Sequence, residues 1–119
     1  MSISVASRKQ KARLLQQLVV GAVLEKFPSL TSRDVKSVPM GVTGADVELS
    51  EAAVKLYPYS IEAKSTESLS IWKALEQAQS ETRDKDLTPL LVFKRNRSDV
   101  YCALRFEDFM KLIKGEENE

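Results

Sequence analysis

Two short segments with charged side chains on one face constrain the fold more than any other part of this chain. Residues 44–49 and 59–64 both alternate apolar and polar side chains with the period of two that is typical of β-strands. The alternation places Asp46 on the polar face of the first segment and Glu62 and Lys64 on that of the second. If these strands pair, two carboxylates and an amine meet on a face that we expect to be open to solvent. A hydrophobic core has no use for such a cluster, whereas a divalent cation and a phosphate would be bound by it.

The chain contains no histidine. This excludes Ser-His-Asp and Cys-His catalysis, nuclease chemistry based on histidine, and the usual zinc ligand sets. The single cysteine, Cys102, cannot form an internal disulfide and suits a reducing cytoplasm. Because it lies in an apolar strand pattern, Cys102 is predicted to be a buried thiol.

A length of 119 residues predicts one domain covering residues 1–119, with disordered ends at 1–6 and 115–119. No run of 18 apolar residues and no signal-peptide pattern is present, so neither a membrane span nor export is expected. The predicted location is the cytoplasm.

Charge is distributed unevenly although the net charge is only +1. The chain as a whole is therefore not a basic nucleic-acid binder. Two basic clusters could still follow a phosphate backbone or serve as solvated surface: Arg8, Lys9, Lys11 and Arg13 near the start, and Lys94, Arg95 and Arg97 in one turn.

Periodicity and capping signals predict the order α, an ambiguous stretch, β, α, β, α, β, β, α. The ambiguous residues 31–40 are read either as a helical turn or as a short edge strand over Lys36–Met40. The other predicted elements are a helix from Ser7 to Phe27 with Ser7 as N-cap, a strand 44–49, a helix 50–56 capped by Ser50, a strand 59–64, a helix 69–82, a hairpin of strands 88–94 and 99–105, and a helix 106–114.

The helix at 69–82 has an apolar stripe that predicts its buried side. Trp72 falls on this stripe and is predicted to lie in the core. Gln79 lies close to the stripe by helical angle, so it is expected to have a buried partner or a role in a site. Lys73 and Gln77 lie on the opposite side.

Three segments together resemble the PD-(D/E)XK nuclease superfamily: Gly44-Ala45-Asp46, Glu62-Ala63-Lys64, and the helix from Ile71 to Ala78. The likeness is closer to small phage-encoded endonucleases and Holliday-junction-resolvase-like proteins of that superfamily. It extends from the N-terminal helix to Phe109 and includes residues 58–62 and 92–98. Ala45 departs from the family pattern, which often has proline there. The resemblance implies an α/β (α+β) fold with a restriction-endonuclease-like core, in which helices flank a central mixed β-sheet. The implied order is α-β-β-β-α-β, here with an extra C-terminal strand and helix.

The resemblance also implies roles for individual residues. Asp46 and Glu62 would be metal ligands, with the carbonyl of Ala63 completing the shell, and Lys64 would orient the attacking water. Gln77 matches a helix glutamine that some branches place beside the metal. Some branches add a glutamate from the first helix, where this chain offers Gln16, Gln17 or Glu25.

The implied function is a Mg²⁺-dependent endodeoxyribonuclease, with Mn²⁺ as a substitute, because Mg²⁺ needs few carboxylates and keeps several waters. Its expected partners are duplex or branched DNA and further copies of the chain, as a homodimer or higher homo-oligomer. Junction resolution and site-directed cleavage by a homing-type or restriction-like enzyme both stay open. DNA contacts are assigned to Lys73, Lys94, Arg95 and Arg97.

Other interpretations of the same residues stay open. One is a non-catalytic DNA-binding or assembly module that retains the fold. Another is a solvated sheet face whose salt bridges contribute about 0–1 kcal/mol each. Glu48 is an alternative ligand beside Asp46. A second acidic-x-lysine triplet, residues 34–36, is discounted because it lacks a strand pattern.

Overall fold

The helices and strands follow one another in the predicted order across residues 4–39, 41–82 and 85–116, which the computed structural model describes. The fold is α+β. Among these residues, no helix combines the length and the apolar character needed to cross a membrane. The elements are α1 Val5–Lys26, β1 Val35–Ser37, β2 Val47–Leu49, α2 Glu51–Leu56, β3 Tyr59–Ser65, α3 Ile71–Ser80, β4 Thr88–Lys94, β5 Tyr101–Ala103 and α4 Phe106–Leu112.

The strands form two sheets rather than one continuous central sheet. The larger sheet has the order β3-β4-β5 and is mixed, because β3 and β4 are parallel and β4 and β5 antiparallel. β1 and β2 form a separate antiparallel pair. The backbone of Asp46 connects the two sheets: its N–H donates to the carbonyl of Ile61 (2.9 Å), and its carbonyl accepts from the N–H of Val38 (2.9 Å).

The sequence placed two helix starts correctly, those of α2 and α4. α2 begins after Ser50, whose side chain accepts the N–H of Ala53 at 3.1 Å, as predicted. α1 begins at Val5 instead of after Ser7. Its N-cap is Ser4, whose side chain accepts the N–H of Ser7 at 3.1 Å. Residues 1–3 and 117–119 of the expected disordered ends, and Met40 of the alternative edge strand, lie outside the described residues.

Both faces of β3 are covered, and this decides where the acidic residues lie. On one face, Ile61 and Ala63 join a core with Leu15, Val19 and Val23 of α1. On the other face, α3 packs against β3 and β4. A parallel pair covered on both sides by helices is the usual arrangement in proteins that mix the two elements. The expectation of an acidic face open to solvent is therefore wrong at Glu62, which is 2% exposed.

Two side chains of α3 lie on the outside rather than in the core. Trp72 is 76% exposed, and Gln79, seven residues further along the same face, is also exposed. α3 instead buries Ala74 and Ala78, whose small side chains let the helix approach the sheet closely. Both predictions were wrong because the apolar stripe is narrower than its residue types suggested.

Cys102 is exposed as well, contrary to the predicted buried thiol. It lies in the short strand β5, opposite the buried Val92 of β4. The helices cover the sheet only as far as β4. The apolar residues of β5 are therefore not buried beneath a helix.

Candidate functional site

One cleft of about 580 Å³ brings together every residue assigned to catalysis or metal binding from the sequence. Its walls come from α1, the loop before β2, the end of β3 and the end of α3. The predicted residues that line it are Asp46, Glu62, Ala63, Lys64 and Gln77. The cleft also contains Gln16 of α1 and Glu81, which follows α3.

Asp46 is held in place by backbone groups on both sides. The chain enters it through Gly44, whose φ of +107° suits glycine because other residues rarely adopt it. The Oδ2 atom of Asp46 then accepts the backbone N–H of Ala63 at 2.7 Å. Burial raises the pKa of Asp46, and this outweighs the lowering by the Ala63 N–H, by the charge of Lys64 and by a hydrogen bond with Glu62.

Glu62 is the most deeply buried ionisable group of the cleft. Its Oε1 lies 3.4 Å from Nζ of Lys64, a side chain that is one-third exposed. No N–H or O–H donor in the described ranges reaches its Oε2. Burial, then the carboxyl group of Glu81 and the charge of Asp46, raise the pKa of Glu62 to about 8, against a smaller lowering by Lys64. Buried carboxylate oxygens are normally satisfied, so Glu62 is arranged to hold either a proton or a cation.

Glu81 is a cleft residue that the sequence reasoning did not single out. It is the C-cap residue of α3, and its Oε2 is also buried without a donor among the described residues. The two carboxyl groups of Glu62 and Glu81 can hydrogen-bond to each other only when one of them is protonated, and this contact is the second cause of the raised Glu62 pKa. The available signal was spacing, because Gln77 and Glu81 are four residues apart and share a helix face.

The first helix contributes an amide rather than a carboxylate. Gln16 is buried and lines the cleft, and its Oε1 accepts a hydrogen bond from Oγ of Ser37 at 2.8 Å. Gln17 and Glu25 are exposed and do not line it. Of the three first-helix candidates, the structure therefore brings Gln16 to the site.

The donors in the cleft fit a hard cation that keeps part of its water shell. Within residues 4–39, 41–82 and 85–116, no three Asp, Glu, His or Cys side chains form a metal-binding group. Asp46 and Glu62, with the carbonyl of Ala63 that the resemblance implies, would thus share a cation with bound waters. Mg²⁺ is usually bound in this way, by few carboxylates and several waters. The buried Oε2 of Glu62, which lacks a donor in the described chain, is the observation that favours this fit.

The competing acidic residues have other partners or other positions. Oδ2 of Asp34 accepts the N–H of Thr31 (2.8 Å), and its Oδ1 accepts from Oγ of Ser50 (2.7 Å). These bonds, Thr31 first, lower the pKa of Asp34. The triplet 34–36 does enter a strand, β1, contrary to the premise used against it, but its carboxylate is occupied in fixing the chain. Glu48 is exposed, lies opposite Lys36 across β1 and β2, and does not line the cleft.

The two basic clusters of the sequence lie at the same end of the molecule. Nζ of Lys11 in α1 donates to Oδ1 of Asn96 at 2.8 Å, across 85 residues of sequence. Asn96 lies in the β4–β5 turn, where the backbone N–H of Arg95 donates to Oγ of Ser98 at 3.0 Å. We call this surface the basic end and define it as Lys9, Lys11, Arg13, Lys94, Arg95 and Arg97.

The basic end borders the cleft. Ala12 and Gln16, which line the cleft, follow directly along α1 from Lys11. Thr66, also in the cleft wall, donates its N–H to the carbonyl of Lys94 at 3.0 Å. Lys73 lies apart from the basic end, exposed on α3 beside a groove that it shares with Gln77.

Comparison of the chain with known protein families, curated proteins and solved structures returns no match. Functional conclusions therefore depend on the residues of the cleft and the basic end.

Proposed function

We propose that this protein is a Mg²⁺-dependent endodeoxyribonuclease with a restriction-endonuclease-like core, as the resemblance to the PD-(D/E)XK superfamily implies. The observation that carries the proposal is the buried Glu62 carboxylate. It lies beside Asp46 and Lys64, and its Oε2 has no donor among the described residues. A carboxylate pair with an adjacent ammonium group in an accessible cleft suits phosphodiester hydrolysis better than it suits a structural role.

Each residue of the chain has a defined task in this proposal. The N–H of Ala63 fixes one oxygen of the Asp46 carboxylate, and Asp46 would help to hold the cation. Glu62 would hold it as well, through a carboxylate whose Oε1 lies 3.4 Å from Nζ of Lys64. The ammonium group of Lys64 would place positive charge where charge develops on the phosphate. A bound Mg²⁺ would supply Lewis acidity and lower the pKa of a coordinated water.

The basic end supports nucleic acid as the substrate class. Lys11 of α1 meets the basic β4–β5 turn through its hydrogen bond to Asn96, and the next residue of α1, Ala12, lines the cleft. Such a surface can follow a phosphate backbone and position a scissile phosphate over Glu62. The acidic residues elsewhere keep the net charge at +1, so binding would be local.

The deciding experiment is cleavage of supercoiled plasmid and of a four-way DNA junction by the purified protein with Mg²⁺ or Mn²⁺. We expect nicking that EDTA abolishes. A linear duplex of the same arm sequences separates junction resolution from site-directed cleavage. DNA binding without cleavage under any of these conditions would replace this proposal with the non-catalytic DNA-binding module.

The biological setting follows from the same proposal. A phage-encoded enzyme of this kind would act in the host cytoplasm. Cutting both strands of a duplex or junction needs two cleavage centres, which a homodimer or higher homo-oligomer supplies by symmetry.

Neutralising the turn should weaken DNA binding for every DNA sequence. We expect that replacing Lys94, Arg95 and Arg97 with glutamine will flatten the slope of log K against log salt by up to about 0.9 for each phosphate that the turn no longer neutralises. Binding should be measured by fluorescence anisotropy between 50 and 250 mM salt, roughly the range over which such contacts are resolved.

A matched control removes the same charge from the opposite end. Lys26 ends α1, and the rings of Phe27 and Tyr57 are in contact at 6.2 Å, so the end of α2 lies beside it. At 1.5 Å per residue, this end of α1 is about 22 Å from Lys11. The variant in which Lys26, Arg33 and Lys55 are all replaced with glutamine should keep the wild-type slope of log K against log salt. If wild type, the turn variant and the control variant all had the same slope, the charges of the turn would serve solubility and not DNA binding.

A further inference from the structure

The exposed apolar side chains of this protein are concentrated in one C-terminal stretch. Of the fourteen large apolar side chains that are exposed in the described residues, seven lie between positions 100 and 113. We call these seven the C-terminal apolar surface: Val100, Tyr101, Phe106, Phe109, Met110, Leu112 and Ile113. Scattered exposed apolar residues are normal, but a contiguous group marks an interaction site.

The orientation of α4 is the reverse of that expected in a monomer. Its buried residue is Asp108, which Arg105 holds through a 2.9 Å bond from Nε to Oδ2. Phe106 and Met110 are four residues apart and lie on one side of the helix, and Asp108 points to nearly the opposite side. Phe106 is 76% exposed and Met110 49%. The apolar side of the helix is therefore exposed, while its one buried side chain is a carboxylate paired with Arg105.

The sheet also carries exposed apolar residues of this stretch. Tyr101 of β5 lies beside Phe93 of β4, with ring centroids 6.1 Å apart. Both residues line a groove of about 310 Å³ with Leu69 and Ile71 at the start of α3. β5 is the end strand of its sheet, so the edge facing away from β4 is unpaired within the described chain.

A typical stable interface buries about 800 Å² on each partner. The seven side chains of the C-terminal apolar surface are between 38% and 76% exposed, so they offer apolar area to such an interface.

We propose that the C-terminal apolar surface is a homodimer interface, in which the α4 helices of two copies pack antiparallel about a two-fold axis. The charges beside the apolar side of α4 are self-complementary. Glu107 lies in the first turn and Lys111 in the last, 3.7 Å apart within one copy, and both are about two-thirds exposed. In an antiparallel pair the same flank of each helix meets, which brings Glu107 of one copy to Lys111 of the other. This inference does not depend on the proposed nuclease function.

The test is the mass of the full chain in solution, measured by sedimentation equilibrium over a concentration series. Wild type should be a dimer. The double variant Phe106→Glu with Met110→Glu should raise the dimer dissociation constant about tenfold or more, the loss typical of removing buried interface contacts. Circular dichroism checks that the variant is folded, as expected when side chains this exposed are replaced.

The matched control has the same residue spacing and the same change of charge. Leu14 and Leu18 are four residues apart on α1 and about half exposed. Leu14→Glu with Leu18→Glu should leave the dissociation constant unchanged. A monomeric wild type, a dimer that tolerates the α4 variant, or equal weakening by both variants would each overturn the proposal.

Charge reversal tests the antiparallel arrangement. Lys111→Glu alone should weaken the dimer several-fold because it places two acidic groups opposite each other. Adding Glu107→Lys should restore most of the affinity, because opposite charges then face each other again across the interface. Failure of the second substitution to rescue the first would rule out this arrangement of the two helices.

Discussion

Replacing Lys64 with methionine, or Glu62 with glutamine, should reduce the rate of Mg²⁺-dependent DNA cleavage about 10²–10³-fold, the usual cost of losing one group that stabilises developing charge. Both substitutions keep the shape of the side chain. This matters because Glu62 is 2% exposed between β3 and α3, and truncation to alanine would leave a cavity. Single-turnover cleavage of plasmid DNA is the measurement, because it isolates the chemical step from product release.

A lysine and a glutamate on neighbouring strands outside the cleft provide the control. Lys36 and Glu48 lie opposite each other across β1 and β2, are both exposed and do not line the cleft. Lys36→Met and Glu48→Gln should cleave at the wild-type rate. If these variants lost as much activity as those of Lys64 and Glu62, the cleft would not be the catalytic site. Intact activity in Lys64→Met would remove the role assigned to that residue.

Local patterns in the sequence were sufficient to select residues that line one cleft of the structure. Period-two alternation identified β3, and turn and capping residues separated it from α2 and α3. Once those elements are in place, the two-residue step between Glu62 and Lys64 puts them on one face of a strand. The two strands considered for pairing lie in separate sheets, and Asp46 is where they meet, through its N–H bond to the carbonyl of Ile61. The hydrogen bond from Ala63 to Asp46 lies at the same junction.

The burial of Glu62 could not be derived from the alternation of β3. An alternation of period two predicts which residues share a face of the strand, but it does not predict whether a helix covers that face. Here α3 covers it with Ala74 and Ala78, while Trp72 faces outward. Apolar area alone would have chosen the opposite orientation. The close approach that small side chains permit decided the packing.

Contacts between distant parts of the chain could not be predicted from local sequence patterns either. Nothing local indicates that Lys11 and Asn96 meet, so the two basic clusters were separate candidates for DNA binding. Glu81 was missed for a related reason: it is significant because α3 ends above β3, next to Glu62. Its four-residue spacing from Gln77 was visible, but the location of that helix face was not.

Without a divalent cation, the protein should lose stability as pH rises from about 4.5 to about 8. The pKa of Glu62 is raised from 4.5 to about 8 in the folded chain. Between these values the folded state holds a proton that the unfolded state has released, so the free energy of unfolding falls with increasing pH. The raised pKa of Asp46 acts in the same direction. The lowered pKa values of Asp34 and Asp108 act below about pH 4, outside this window.

The expected size of this loss is several kcal/mol, because each unit of pKa difference corresponds to about 1.4 kcal/mol. Denaturant unfolding in EDTA at a series of pH values measures it. Glu62→Gln should flatten the profile, since a neutral amide has no proton to release, whereas Glu48→Gln should keep the wild-type slope.

Adding Mg²⁺ should reverse most of the loss at pH 8 and have little effect near pH 5. A cation binds the ionised carboxylates of Asp46 and Glu62, so it stabilises the folded state where these groups are deprotonated. The midpoint of thermal unfolding at both pH values, with and without Mg²⁺, gives the comparison. Glu62→Gln should be insensitive to the cation at either pH. A Mg²⁺ effect of equal size at pH 5 and pH 8, or one that persists in Glu62→Gln, would place cation binding away from this carboxylate. A sloping profile in EDTA with no response to Mg²⁺ would leave Glu62 a buried acid that holds a proton and no metal.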